Sequence, residues 1–125
     1  MGKGLAFVIS QFHTDSVRQQ EFNKDFAKAL AREIYYEGYV PVVPHLYFPR
    51  FLADEGQERQ WGIMAGHRMM ALCSIVYVAK IEGQISNGMR QDIEFATSLK
   101  IPITWMSFST GKAEEFIKRF KESRA

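Results

Sequence analysis

Residues 5–9 read LAFVI, five apolar positions without a break, the pattern of a strand buried on both faces. The polar loop SQFHTDS follows, and Ser16 with Gln19 has the capping-box spacing that starts a helix. Phe22, Phe26, Leu30 and Ile34 then recur on one helical face, and Gly38 supplies a natural stop. Residues 39–43, YVPVV, predict a second strand. Pro41 removes one ladder donor and so places that strand at an edge. An aromatic-rich connection occupies 44–56. A second helix is predicted over about 57–72, with Trp61, Met64, Ala65, Met69 and Leu72 on its buried side. SIVYVA (74–79) is a third strand. The loop KIEGQI leads into a helix whose Ile93, Ala96 and Leu99 face a sheet. Pro102 precedes a fourth strand, ITWMSF, and Ala113, Phe116, Ile117 and Phe120 mark a closing helix.

Strand and helix alternate through the whole chain, with no repeat, low-complexity tract or linker. This order predicts a single-domain α/β fold over residues 1–125, Rossmann-like or flavodoxin-like, with a parallel sheet of four to five strands and helices on both faces. In such sheets ligands gather beyond the carboxyl ends of the strands, near a switch in strand order. The loops expected there are SQFH, PHLYFPR, KIEGQISNGM and SFSTG, which hold most of the unusual polar residues.

Composition narrows the function classes. A chain of 125 residues with 46% hydrophobic content can bury a core without metal or disulfide support. Sixteen basic and fourteen acidic residues give +2, too small a charge to point to a nucleic-acid polymer as partner. One cysteine, Cys73, lies in the apolar run MMALCSIVYVA and reads as a buried, inert thiol. No apolar stretch is long enough to span a membrane, and MGKGLAFVIS runs straight into a strand without a signal-peptide pattern. A cytosolic protein is expected.

The stretch SNGMRQDIEFA (86–96) carries the most suggestive chemistry. Ser86, Asn87, Gly88 and Met89 form a helix start at which backbone N–H groups, a hydroxyl and a glycine can receive an anion. Simple N-capping by Ser86 or Asn87 explains the same residues. Asp92, six positions on, can point over the strand ends toward that turn and act on a sugar carbon; a solvated acid beside Arg90 is the plainer reading. His45 ends a strand and either holds a ligand or caps its loop. His67 lies mid-helix, as a structural residue or as an acid. His13 follows the first strand with no partner evident in the sequence. Arg50 and Arg59 either neutralise a phosphate or pair with Asp54, Glu55 and Glu58. Phe12, Tyr47, Phe48 and Phe51 offer a stacking surface for a base, a buried lid, or both. The histidines are too far apart in sequence, with a single cysteine, to suggest a metal site. No dinucleotide or triphosphate loop motif is present.

PVVPHLYFPRFL, ERQWGIMAGHRMMALCSIVYV and ISNGMRQDIEFATSLKIPI together resemble the nucleoside 2-deoxyribosyltransferase-like superfamily, and within it a small branch common in phages and bacterial mobile elements. The resemblance covers roughly residues 5–107, and PHLY and SNGM to DIEFA are its most specific parts. It implies one domain of that type and an N-glycosidase or deoxyribosyltransferase-like activity, in which a carboxylate attacks the anomeric carbon and expels the base. The attacking glutamate of relatives falls on Asp92. The position of Ser86 is the one at which the superfamily's monophosphate hydrolases use a serine to hold the 5′-phosphate. Nucleoside 5′-monophosphates are therefore the implied ligands, held by Ser86, Asn87, Gly88, Met89 and Arg50 or Arg59, with Phe12, Tyr47 and His45 toward the base. Ser10, Gln11 and Phe12 carry over by position from the first loop.

Three departures stand out. Asp92 is one methylene shorter than the relatives' glutamate. Their second acid falls near Gly66, where only the adjacent His67 could donate a proton. SQFHTDS lacks the glycine-rich character of the hydrolases' first loop. These departures give weight to an alternative: a non-catalytic protein that sequesters or senses a nucleotide-derived signal, as a phage protein would do to a host defence. No metal or redox cofactor is expected. Relatives complete their sites across subunits, and Trp61, Met69 and Met70 offer surplus apolar surface, so a homodimer or larger homo-oligomer is expected in the cytosol of a bacterium or phage-infected host.

Overall fold

A computed structural model describes residues 2–125. Four strands form one parallel sheet: β1 (Leu5–Ile9), β2 (Val40–Val42), β3 (Ile75–Ile81) and β4 (Ile103–Phe108), in the order β2-β1-β3-β4. Four helices alternate with them: α1 (Val17–Tyr36), α2 (Gly56–Met70), α3 (Asn87–Ser98) and α4 (Thr110–Ser123). Ala6 faces Pro41 on one side and Ile75 on the other, and Val76 faces Ile103. β1 therefore sits inside the sheet, and Ala6 to Ile9 are at most 2% exposed, which is why its apolar run is unbroken. β2 is the edge strand that Pro41 requires.

The two sides of the sheet have separate cores. Phe26, Leu30 and Ile34 of α1 meet Ala113 and Ile117 of α4 over Ala6, Val8, Tyr77 and Ala79. On the other side Met70 of α2 and Met89 and Ala96 of α3 lie over Phe7, Ile9, Val76 and Val78. Such a division follows from right-handed crossovers. The chain leaves β1 for β2 in one direction, then crosses to β3 and β4 in the other, changing faces as it does so.

α1 starts as its sequence indicates: the Ser16 hydroxyl accepts from the Gln19 N–H at 3.2 Å. The capping box is not closed, however, because Gln19 turns its amide to Asn23 Oδ1 at 2.9 Å. The buried Asn23 in turn donates to the Phe12 carbonyl at 3.1 Å, pinning the loop that follows β1. At the far end Gly38 takes φ +105°, a left-handed stop that a side chain would resist.

α2 departs from expectation. Trp61, Met64 and Leu72 are 51%, 59% and 75% exposed, and Gly66 and Met70 are the residues that turn inward. Apolar side chains surround this helix, so their spacing does not single out a face. Its two glycines decide the matter: a Cβ on Gly66 would stand 3.5 Å from Pro44, and one on Gly62 3.8 Å from Leu52. The 44–52 connection packs where α2 has no side chains. Met70 is fully buried and adds nothing to surface hydrophobicity, and Leu99, expected against the sheet, is the 40% exposed cap of α3.

Candidate functional site

β1 is the point from which the chain departs in both directions, so the loops after β1 and β3 diverge and leave a crevice between them. A cavity of about 480 Å³ opens there, within the size range of small-molecule sites. Its walls come from Phe7, Val8 and Ser10 of β1 and its exit, Pro44, His45, Phe48 and Leu52 of the connection, the Gly62–Ile63–Gly66 face of α2, and Ser86 to Met89, Gln91 and Asp92 of α3. The connection makes two 3-10 turns, Pro44–Leu46 and Phe48–Arg50, each with a proline in its first turn.

Asp92 lies on the cavity wall, one and a half turns into α3. It is no solvated surface acid: its side chain is 18% exposed and Oδ1 lies 2.9 Å from His67 Nε2. Burial pushes its carboxyl above the ordinary range, partly offset by the hydrogen bond and charge of His67. His67 stacks on Phe95 with ring centroids 4.2 Å apart and 9° between planes. It is not among the side chains lining the cavity, so it meets Asp92 from behind the wall. His67, named from the sequence as a candidate acid, has Nε2 engaged with Asp92 in this arrangement.

At the start of α3, Ser86 Oγ accepts from the Met89 N–H at 3.2 Å, so the N-cap reading holds. Ser86, Asn87, Gly88 and Met89 all line the cavity nonetheless. A Cβ on Gly88 would meet nothing within 4 Å, which leaves the approach to the helix terminus open.

Two buried polar atoms lack a protein hydrogen-bond partner among the described residues, Ser10 Oγ and His45 Nδ1, and both residues line this cavity. A buried hydroxyl without a partner costs on the order of 1–3 kcal/mol. Burial lowers the His45 pKa to about 4, against a smaller opposing effect of Asp54, so the ring is neutral near pH 7. Phe12 is 7% exposed and covers His45 at 4.5 Å, so one face of its ring is already occupied.

The remaining expected residues separate. Arg59 lines the cavity and also reaches Asp54, Nε to Oδ1 at 3.5 Å. Gln11, Tyr47 and Arg50 lie off the wall. Phe48 and Leu52 take the inward places of the connection, while Tyr47 packs edge-on against Phe48 and Phe51 on the outer side. Gly66, the position near which the second acid of the resembled superfamily falls, is buried on the wall against Pro44.

Two features were not legible. His13 has a partner after all, Asp54 Oδ2 at 2.7 Å from Nδ1, and both line the cavity. Nothing in the sequence links positions 41 apart. Glu58 also reaches the wall, where it accepts the Ala53 N–H at 2.7 Å. Cys73 is buried, as its context suggests, and burial raises its thiol to about 11. Among the described residues no group of three or more histidine, cysteine or acidic side chains is placed to hold a metal ion, and no helix is long and apolar enough to cross a membrane.

No curated protein matches the chain. A family model described as a domain of unknown function, DUF7768, matches residues 4–106, which takes in β1 to β3, most of β4, the first three helices and every residue of the cavity wall, and the chain belongs to that family.

Proposed function

We propose that this protein binds a nucleoside 5′-monophosphate in the crevice beyond β1 and β3 and cleaves its N-glycosidic bond. The observation that carries the reading is Asp92: a largely buried carboxylate on the cavity wall, held by His67 and set one and a half turns beyond an accessible helix start. The start of α3 suits a phosphate, with the Ser86 hydroxyl beside it. Asp92 then meets the sugar, as nucleophile at the anomeric carbon or as counter-charge to an oxocarbenium-like centre. The shorter aspartate arm is compatible with this role because His67 fixes the carboxylate orientation from behind. Ser10 and His45 offer neutral polar contacts that the protein itself leaves unused.

The same cavity supports a second reading, retention of a nucleotide without cleavage, because position 66 carries no acid and no carboxylate other than Asp92 stands on α3's part of the wall. A homo-oligomer belongs with either reading, through the exposed Trp61 and Met64 of α2. Incubation with ribo- and deoxyribonucleoside monophosphates, followed by mass spectrometry, separates the two. Free base in the wild type and at least about 10³-fold less with Asp92→Asn is the result expected. Tight binding with quantitative recovery of intact nucleotide would instead establish a receptor.

A further inference from the structure

The cavity holds two histidine–aspartate pairs, and they are mounted in opposite senses. In the first, Asp92 stands on the wall and His67 lies behind it. In the second, His13 and Asp54 both reach the wall, and the imidazole is the more exposed member, 45% against 29%. A polar contact this exposed contributes at most about 1 kcal/mol to folding. Its structural consequence is orientation. With Nδ1 committed to Asp54 at 2.7 Å, Nε2 is the ring nitrogen left to meet a ligand.

N-glycosidic cleavage needs such a group. When the C1′–N bond breaks, its electron pair stays on the base, and a natural base leaves readily only if a proton meets that charge. The other titratable groups at the cavity are already engaged. Glu58 accepts the Ala53 N–H, His45 is sealed at Nδ1 and stacked under Phe12, Arg59 reaches Asp54, and Asp92 is needed at the sugar.

We propose that His13, oriented by Asp54, is the proton donor to the leaving base, opposite in role to Asp92. This rests on the glycosidase reading given above. Asp92 Oδ bonds to C1′ as the C1′–N bond breaks, and the Nε2 proton of His13 passes to the departing base. Neutral His13 then takes a proton from the water that hydrolyses the glycosyl ester. The sum is nucleotide plus water giving base plus sugar phosphate, with both side chains restored. The device also explains how a site with glycine at position 66 can supply a proton: the donor comes from the β1 loop, which Asn23 anchors.

The test compares a natural deoxynucleoside monophosphate with a deoxyribose 5-phosphate that carries 4-nitrophenolate, a leaving group that departs without protonation. His13→Gln is expected to slow base release by about 10²–10³-fold but nitrophenolate release by no more than about tenfold. Asp54→Asn should show the same bias more weakly, and Asp92→Asn should suppress both substrates alike. Thermal melting of each variant identifies loss through misfolding, in which case both substrates fall together and the Asp54→Asn ratio decides. Equal losses on both substrates in folded His13→Gln and Asp54→Asn would overturn the donor role while leaving Asp92 in place. Nitrophenolate release by a wild type that frees no natural base would also overturn it. A wild type inert toward both substrates would overturn the glycosidase reading itself.

Discussion

The two faces of the sheet are built from different material. Under α1 and α4, large side chains close the space: Phe26 meets Phe108 edge-on at 5.0 Å and Phe116 at 6.0 Å, and it is 2% exposed. Under α2 and α3 the strand residues are equally buried and Met70, Met89 and Ala96 cover them, but α2 turns Gly62 and Gly66 toward the 44–52 connection, and beyond the strand ends a cavity of about 480 Å³ remains. One face spends its side chains on packing. The other leaves room and surrounds it with polar groups, two of which have no protein partner. Stability and chemistry should therefore separate by face.

The largest stability effect should come from the packed side. Phe26→Ala removes the ring that joins α1 to β4 and α4, and a loss of about 3–5 kcal/mol in chemical denaturation is expected. Asp92→Asn should do the reverse. Its carboxyl is pushed up in the folded state, so the folded chain holds that proton more tightly and stability declines as pH rises through its pKa. The asparagine removes this decline, so the variant should melt no lower than wild type near neutrality, with any advantage shrinking toward acid.

His45 gives a pH signature specific to the cavity side. Its folded pKa of about 4 lies below the ordinary 6.5, so the unfolded chain takes up a proton that the folded one refuses. The stability associated with the neutral ring is full above about pH 6.5 and falls away as pH drops toward about 4. About 3 kcal/mol is at stake, from roughly 1.4 kcal/mol per pKa unit. His45→Phe keeps an aromatic ring against Phe12 and should flatten that part of the stability–pH curve. The smallest effect belongs to the outer face of α2, where Trp61→Gln should change stability by no more than about 0.5 kcal/mol. A larger loss in a monomer would mean that the outer face of α2 is packed after all.

The packed face was legible for the same reason that it is stable. Phe22, Phe26, Leu30 and Ile34 repeat with a helical period because they all serve one core, and LAFVI is unbroken because β1 is covered twice. α2 misled for the opposite reason. Its inward face is chosen by what is missing at Gly62 and Gly66, and hydrophobic periodicity registers side chains rather than their absence. The candidate site divides likewise. Asp92 and the Ser86 turn stood out because they share one helix, whose geometry fixes their relation. His67–Asp92 and His13–Asp54 span 25 and 41 residues and exist only once the sheet brings their loops together. Tyr47 and Arg50 were drawn toward the site by residue type, but the 3-10 turns point them outward and set Phe48 and Leu52 on the wall.

The most direct test of the central assignment is to trap the reacting carboxylate. Wild-type protein mixed with a cleavable deoxynucleoside monophosphate, quenched in acid within a turnover and digested, should carry sugar phosphate on the peptide that contains residues 86–96, with fragmentation placing it on Asp92. Asp92→Asn should carry none. Base release that proceeds at the wild-type rate in Asp92→Asn, or an adduct on any other residue, would contradict the assignment of Asp92 as the group that meets the sugar.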